Sequence, residues 1–267
     1  MDAEQRRRNR FRDRKPDEVF IPDLNPYLKE HFEFGRPVMT ATDAPTYKGR
    51  WGAAFDGPMA PGAFQVEIGS GNGFYLSGMA AKHPEQRWLG IEIRYKRVIL
   101  CGRKIRAAKL QNALITRYDA WWLDDLFVPG EIDGLHINHP DPWVRGVEQK
   151  KRLLSVDFLG WAARALKVGA TLRLKTDHLP YVDQMLRCVE GLPFALIGRS
   201  TDLAKVGTPW PAEDDVVTNY QSKFIKRGLP VHAAWLRRIE GAAPEIPPEL
   251  LPEAREVGAV AEEEEEG

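Results

Sequence analysis

The sequence has few of the residues that build disulfide frameworks, metal centres or membrane spans. Only two of its 267 residues are cysteines, Cys101 and Cys188, too few for a disulfide framework or a cysteine-based zinc site. The six histidines are scattered, so we expect no metal site. No apolar run approaches the length needed to cross a bilayer. We therefore expect a protein of the reducing cytoplasm that has no membrane partner.

The formal net charge is zero, but the charges are unevenly distributed. Residues 240–267 contain ten acids and one base, whereas residues 1–239 contain 37 bases and 28 acids. This basic excess indicates a polyanionic partner such as nucleic acid, although ordinary surface charge would also account for it. We expect residues 1–24 to form a mobile basic arm rather than a signal peptide, and residues 241–267 to form a disordered acidic tail.

Between these ends, segments with strand and helix periodicity alternate. Strands are predicted near residues 64–69, 88–93, 113–118, 132–138, 170–176, 194–200 and 231–239. Helices are predicted after residue 74 and near 94–110, 149–166 and 179–190. This alternation predicts one α/β domain over residues 25–240, with a loop-rich lead-in at 25–63. Its sheet would be doubly wound and mostly parallel, with helices on both faces and an antiparallel last strand.

Five carboxylates follow or end successive predicted strands: Glu67, Glu92, Asp119, Asp141 and Asp177. A single such acid is ordinarily a helix cap or a solvated loop residue. Because the carboxyl ends of parallel strands meet at one edge of a sheet, five of them are expected to face one crevice. The pattern therefore indicates a functional site at that edge.

A glycine-rich turn with Gly69, Gly71 and Gly73 follows the first of these strands. Such a turn lets the backbone approach a ligand and presents N–H groups at a helix start. By itself it is compatible with a nicotinamide, a flavin or S-adenosylmethionine. A dinucleotide would need two residues between the second and third glycines to seat its pyrophosphate, and this turn has one.

The acids around the turn distinguish these cofactors. Glu67 precedes it, where a negative charge would repel a pyrophosphate but suit a cationic ligand. Glu92, about twenty residues after the turn, is placed to bind both hydroxyls of a ribose. Asp119 and Ala120 fall where an adenine edge would lie. Together these positions favour S-adenosylmethionine over NAD.

The segment Pro140-Asp141-Pro142-Trp143 follows the predicted fourth strand. Proline fixes its own φ and keeps the preceding residue out of the helical region, so Asp141 is held extended between two prolines. The segment is either a proline-stiffened turn or a rigid acid at the chemical edge of the sheet.

Residues 66–73, 90–92, 119–120, 140–143 and 176–177 resemble, in order and spacing, motifs of the bacterial tRNA (guanine-N7-)-methyltransferases. Further matches are residues 25–27, 49–51, 218–224 and Gly228, so the resemblance covers roughly residues 25–239. The glycine loop is general to class I methyltransferases, whereas the Pro-Asp-Pro-Trp segment combined with the late Thr-x-Tyr segment is specific.

The resemblance implies a class I, Rossmann-like fold and methyl transfer from S-adenosylmethionine to N7 of a guanine in the variable loop of tRNA. Asp141 is implied as the catalytic acid. The implied cofactor contacts are Glu67, Gly69, Gly71, Gly73, Glu92, Asp119, Ala120 and Asp141. The implied substrate contacts are Arg145, Asp177, Thr218, Asn219, Tyr220 and Gln221. The resemblance does not determine which tRNAs are modified, or the oligomeric state.

Two departures from the family concern the substrate side. The dense basic run that usually follows Pro-Asp-Pro-Trp is thinned here to Val144–Gln149 before Lys150, Lys151 and Arg152. The family glutamate after Thr-x-Tyr is Gln221. Two alternatives therefore stay open: methylation of another base or of an exocyclic amine, and an RNA-binding relative with a degenerate site. Trp143 could stack on a base or pack in the core.

Overall fold

The computed structural model describes residues 26–56 and 59–245, which form one eight-stranded sheet flanked by helices. The strands are β1 Val38–Met39, β2 Phe64–Ile68, β3 Arg87–Glu92, β4 Ala113–Arg117, β5 Ile132–Asn138, β6 Leu166–Thr176, β7 Phe194–Ser200 and β8 His232–Arg238. The α-helices are α1 Pro26–Glu33, α2 Phe74–Lys82, α3 Tyr95–Ala107, α4 Val156–Ala165, α5 Leu179–Cys188 and α6 Asn219–Lys226.

The strand order is β1-β4-β3-β2-β5-β6-β8-β7, and β8 is antiparallel to both of its neighbours. The other pairings are parallel. The predicted doubly wound α/β fold with an antiparallel last strand is confirmed. The chain winds outward in both directions from the β2–β5 pair. A crevice therefore opens at the carboxyl ends of these two strands, where open α/β sheets bind their ligands.

Alternation along the strands divides the core into two layers. On β3, Trp88 packs with α2 and α3 on one face, while the next residue, Leu89, packs on the opposite face. Trp51 and Phe64 stack in the second layer with ring centroids 5.8 Å apart. Full burial of each such side chain stabilises the fold by about 1.5–3 kcal/mol. Packing on both faces of the sheet therefore keeps the strand ends in fixed positions.

Two predicted elements have different bounds in the structure. The loop-rich lead-in predicted at 25–63 also contains helix α1 and two 3-10 turns, Ala44–Tyr47 and Trp51–Ala54. The helix predicted at 149–166 is shorter, because Ser155 caps α4 by accepting from the N–H of Phe158. A 3-10 turn, Gly146–Lys151, precedes it. The strand predicted at 170–176 begins earlier, at Leu166, so Gly169 lies inside β6 with φ +89°.

The predicted basic arm at residues 1–24 lies outside the described residues, and so does the predicted acidic tail apart from residues 241–245. In residues 26–56 and 59–245, no helix is long and apolar enough to cross a membrane. The same residues contain no cluster of three or more His, Cys, Asp or Glu side chains that could hold a metal ion.

Candidate active site

A cavity of about 460 Å³ lies at the carboxyl edge of the sheet, against the ends of β2, β3, β4 and β5. We call it the crevice. The predicted site residues that line it are Glu67, Gly69, Gly71, Glu92, Asp119, Ala120, Asp141, Thr218, Asn219 and Tyr220. The predicted cofactor and guanine sides thus meet in one cavity, although they are far apart in the sequence.

The glycine turn joins β2 to α2, and all three glycines have positive φ: Gly69 +75°, Gly71 +54° and Gly73 +74°. Gly69 and Gly71 line the crevice, and Gly73 does not. A Cβ on Gly73 would lie 2.4 Å from Sγ of Cys101 on α3, so this glycine lets α2 pack closely on α3. The turn therefore needs glycine for two reasons, ligand approach at its start and helix packing at its end.

Glu67 is almost fully buried where β2 enters the turn. Its Oε1 accepts a hydrogen bond of 2.9 Å from the side-chain amide of Asn138 at the end of β5. Its Oε2 is buried without a hydrogen-bond partner. Burial raises the pKa of Glu67 to about 7. A buried carboxylate oxygen that has no partner suits a cationic group of a ligand, which is the role that the sequence analysis predicts for Glu67.

Glu92 organises the backbone between β3 and α3. Its Oε1 accepts from the N–H groups of Ile93 and Arg94, and its Oε2 accepts from the N–H of Gly71 at 2.9 Å. The carboxylate therefore fixes the glycine turn against the end of β3 while lining the crevice. At the end of β4, Asp119 accepts from the N–H of Trp121 through Oδ1 at 3.0 Å and lies beside Ala120.

The Pro140–Trp143 segment leaves β5 as irregular backbone, and its Asp141 is exposed at the crevice. Two non-glycine residues here are in the left-handed region: His139, just before the segment, at φ +50° and Trp143, its last residue, at φ +40°. Such backbone strain costs roughly 1–3 kcal/mol per residue and clusters at functional sites. Arg152 holds the segment by donating from Nε to the carbonyl of Pro142 at 2.6 Å.

Trp143 lines the crevice, and Nζ of Lys151 lies 4.7 Å from its ring centroid. The indole is partly buried, with one side against a cation. The alternatives of base stacking and core packing for Trp143 therefore stay open, although it lies at the crevice rather than in either core layer.

Asp177, just after β6, does not line the crevice but lies next to His139, which does. The two side chains approach to 3.6 Å between Nδ1 and Oδ1. Interaction with the His139 imidazole lowers the pKa of Asp177 below its usual value. The ring of His139 is also stacked against Phe224 and lies near Tyr220, both on α6. Asp177 thus reaches the crevice only through His139.

The Thr218–Gln221 segment is the start of α6, a helix that the sequence analysis did not predict. Thr218 is its N-cap and accepts from the N–H of Gln221 at 2.8 Å through Oγ1. Asn219 and Tyr220 are exposed at the crevice, whereas Gln221 is buried behind it. The N-cap therefore positions two predicted substrate contacts and turns the third into the interior.

Gln221 belongs to a buried cluster around Lys175 at the end of β6. Nζ of Lys175 donates to a carboxylate oxygen of Asp215 at 2.7 Å, to the carbonyl of Val216 at 3.0 Å and to Oε1 of Gln221 at 3.1 Å. Burial lowers the pKa of Lys175, and the Asp215 carboxylate opposes that shift. With glutamine at 221, one cation faces one anion in the cluster, so the departure from the family leaves this ion pair balanced.

Arg145 is exposed at the start of the Gly146–Lys151 turn, outside the crevice. The structure thus brings ten of the predicted site residues into one cavity and leaves Gly73, Arg145, Asp177 and Gln221 outside its lining. Of these four, Gly73 and Gln221 support the walls of the crevice from behind.

Residues 62–234 match a family model described as a putative methyltransferase. A tRNA (guanine-N(7)-)-methyltransferase of Bdellovibrio bacteriovorus is 30% identical over 207 residues, which cover 78% of this chain and 98% of that protein. Proteins with the same description from Limosilactobacillus fermentum and Halalkalibacterium halodurans are each 32% identical over 73% of this chain, covering 88% and 86% of their own lengths. This chain belongs to the tRNA (guanine-N7-)-methyltransferase family.

Among solved structures, the 16S rRNA methyltransferase KamB has a TM-score of 0.52 and 15% identity, covering 72% of this chain and 92% of that one. At this identity the likeness shows the fold alone, which is that of a class I, Rossmann-like methyltransferase. Family membership confirms the resemblance found in the sequence. The roles of individual residues stay predictions.

Three residues of this family member were missed as parts of the site. Asn138 ends β5 and supports Glu67, His139 connects Asp177 to the crevice, and Lys175 holds the start of α6. Asn138 and His139 directly precede the Pro-Asp-Pro-Trp segment, and Lys175 directly precedes Thr176-Asp177. Adjacency to the motifs was the only available signal, because none of the three lies in the spacing of a known cofactor contact.

Proposed function

We propose that this protein transfers a methyl group from S-adenosylmethionine to N7 of a guanine in tRNA. The observation that carries the proposal is one crevice lined by both Glu67 and Asp141, in a chain that belongs to the tRNA (guanine-N7-)-methyltransferase family. The cofactor side and the guanine side of the reaction therefore share a cavity of about 460 Å³.

The donor set on the β2–β4 side suits S-adenosylmethionine. Glu67 would hold the amino group, because its unpartnered oxygen is buried and lines the crevice. Gly69 and Gly71 let the backbone approach the ligand, and Glu92 would hold the ribose hydroxyls. Asp119 and Ala120 would contact the adenine edge. When bound, S-adenosylmethionine supplies an electrophilic methyl carbon on its sulfonium sulfur.

Guanine N7 carries an in-plane lone pair and no proton, so the protein does not need a general base. As the N7–carbon bond forms and the carbon–sulfur bond breaks, the electron pair goes to sulfur and positive charge develops on the ring. Asp141 would accept from the N1 and N2 donors of the guanine and stabilise that charge. Thr218, Asn219 and Tyr220 would complete the pocket and orient the base for in-line attack.

The basic side chains of this chain are suited to RNA. Those expected to contact phosphates are Arg145, Lys150, Lys151, Arg152 and the basic side chains of α3, together with the arginine-rich residues 1–24 of the sequence. Phosphate contacts release counterions, so tRNA affinity should fall steeply as salt rises.

The test is to incubate the protein with S-adenosylmethionine labelled on its methyl group and bulk tRNA, then digest the tRNA and identify the labelled nucleoside. The proposal expects 7-methylguanosine. Label in an adenosine or in an exocyclic N-methyl product would instead support the alternative that the protein methylates another base or an exocyclic amine. Absence of transfer together with absence of S-adenosylmethionine binding by calorimetry would favour the degenerate RNA-binding alternative.

A further inference from the structure

A second cavity, of about 590 Å³, lies behind the Pro140–Trp143 segment. It is lined by Val144, Gln149, Arg152, His178, Pro180, Gln184 and Arg187, and we call it the Arg152 cavity. None of these lining residues is acidic, and two are arginines. The cavity is therefore electropositive and polar, unlike an apolar packing defect in a core.

Arg152 is buried, with 5% of its surface exposed, and all of its partners are neutral. Nε donates to the carbonyl of Pro142, Nη1 donates to Oε1 of Gln184, and the guanidinium lies 5.1 Å from the ring centroid of Tyr181. Among the residues that the structure describes, no carboxylate forms an ion pair with it. A buried charge without a counterion is costly, and an anion in the cavity would supply the missing counterion.

Other hydrogen-bond donors surround the same space. Arg187 is exposed at the rim, three residues after Gln184 on α5, so both side chains lie on one face of that helix. Nδ1 of His178, at the start of α5, is buried without a hydrogen-bond partner. Planar guanidinium groups match the oxygens of a phosphate in a two-pronged geometry. The anion that fits best is therefore a phosphate group.

The Arg152 cavity and the crevice share a wall. Trp143 and Lys151 line the crevice, while the residues that follow them, Val144 and Arg152, line the second cavity. We propose that the Arg152 cavity binds a backbone phosphate of the tRNA strand that carries the target guanine. This inference rests on the proposed function. It adds a specific phosphate subsite, connected to the Asp141 segment through the Arg152–Pro142 hydrogen bond.

Two substitutions test the subsite without removing the buried arginine. Gln184→Glu replaces the side-chain amide that Arg152 contacts with a carboxylate. The hydrogen bond to Arg152 is kept, and the new carboxylate serves as the counterion that a bound anion would otherwise provide. Arg187→Gln removes the cation at the rim. The matched controls are Gln111→Glu and Lys109→Gln, which make the same charge changes at exposed positions before β4, at the opposite edge of the sheet.

The measurement is the dissociation constant for tRNA as a function of salt, with calorimetric S-adenosylmethionine binding and thermal unfolding as checks on folding. We expect each cavity variant to bind tRNA about tenfold more weakly and to lower the salt slope by about one phosphate contact. We expect cofactor affinity in these variants, and tRNA binding in the controls, to stay within about twofold of wild type.

An unchanged salt slope in both cavity variants, with active wild-type protein, would overturn the subsite and leave the proposed function standing. Calorimetry with inorganic phosphate provides the second arm. Gln184→Glu could abolish phosphate binding and leave tRNA binding unchanged. That result would assign the cavity to a small anion and overturn the RNA subsite. Failure of the wild-type protein to methylate tRNA would overturn the proposed function itself, and the subsite with it.

Discussion

Asp141 is exposed at the crevice although two prolines flank it, and residues with positive φ, His139 and Trp143, lie two positions before and after it. That arrangement presents a carboxylate to the crevice while preventing the backbone from relaxing into a helix or a sheet. The carbonyl of Pro142 accepts from Nε of Arg152, and the ring of Trp143 lies against Nζ of Lys151. In the proposed mechanism, rigidity at this position serves electrostatic stabilisation, because a preorganised charge does not have to reorient during the reaction.

Asp141→Asn should therefore lower the rate of methyl transfer by about 10²–10³-fold at saturating S-adenosylmethionine, because a neutral amide stabilises the developing ring charge less well. Single-turnover kinetics with labelled cofactor measure this rate. Any cofactor contact made by Asp141 would show separately, as a weaker calorimetric affinity. Asp56→Asn, an exposed acid outside the crevice, is the control. Undiminished transfer by Asp141→Asn would refute the assigned role.

Glu67 predicts the pH dependence of cofactor binding. Its pKa is raised to about 7 by burial, so below pH 7 the carboxyl is mainly protonated and has to lose its proton before it can pair with an amino group. The affinity for S-adenosylmethionine should rise as pH increases from about 5.5 through 7 and level off above that. Calorimetry across this range measures the profile.

Glu67→Gln is the matched variant, since the amide can keep the hydrogen bond from Asn138 but does not titrate. It should bind the cofactor more weakly than wild type at pH 7.5 and with little dependence on pH. Parallel profiles for the two proteins would show that Glu67 is not the group that meets the cationic part of the ligand.

At the scale of elements, the glycine turn has two parts with different tasks, which substitution separates. Gly73→Ala should cost about 1–2 kcal/mol for its left-handed backbone and about 1–3 kcal/mol more for overlap with Cys101 on α3. Gly71→Ala pays only the backbone cost, because the nearest atom to its added Cβ is 4.0 Å away. Equal losses of unfolding free energy in denaturant titrations would contradict this division.

The Lys175 cluster should position α6 for substrate binding. Lys175→Met leaves Asp215 as a buried anion without its cation, which costs about 3–5 kcal/mol. Combining it with Asp215→Asn should recover part of that free energy while leaving the first turn of α6 without its anchor. The double variant should then show a raised KM for tRNA and an unchanged affinity for S-adenosylmethionine. If the folded double variant has the same KM for tRNA as wild type, the cluster has a purely structural role.

Sequence patterns predicted well the elements in which burial of side chains sets the spacing of apolar residues along the chain. β2 to β6 are apolar strands whose carboxyl ends carry the acids, so both their existence and their common edge follow from alternation along the chain. The start of α4 was misplaced because Lys150 to Leu153 continue a helical pattern that the Ser155 cap interrupts. Helix α6 was missed because its eight residues are mostly polar and its cap is a single threonine.

Long-range side-chain pairings were the part of the site that patterns did not predict. The carboxylate of Glu67 meets Asn138, which is 71 residues away, and Lys175 meets Gln221, which is 46 residues away. Such pairs depend on the strand register and on the paths of the loops, and a local sequence pattern determines neither of them. The same reason explains why Gln221, expected at the substrate, lies behind the wall of the crevice.

At the scale of the whole molecule, the strand order places the residues predicted to bind the cofactor on the β2–β4 side of the crevice and most of those predicted to bind the substrate on the β5 side. The basic excess in residues 1–239 accompanies this division, since both the crevice and the Arg152 cavity have cations along their rims. A polyanionic substrate would be drawn toward this edge of the sheet and fixed by local phosphate contacts. In the proposed function, one edge of the sheet thus serves both methyl transfer and RNA binding.

The most direct test of this account compares two tRNA transcripts, one made with guanine and one with 7-deazaguanine, which keeps the N1 and N2 donors but has carbon in place of N7. With labelled S-adenosylmethionine, we predict methyl transfer to the guanine transcript and none to the 7-deazaguanine transcript, while both transcripts bind with similar affinity. Equal labelling of the two transcripts would contradict the account, because the methyl group would then be placed on an atom other than N7.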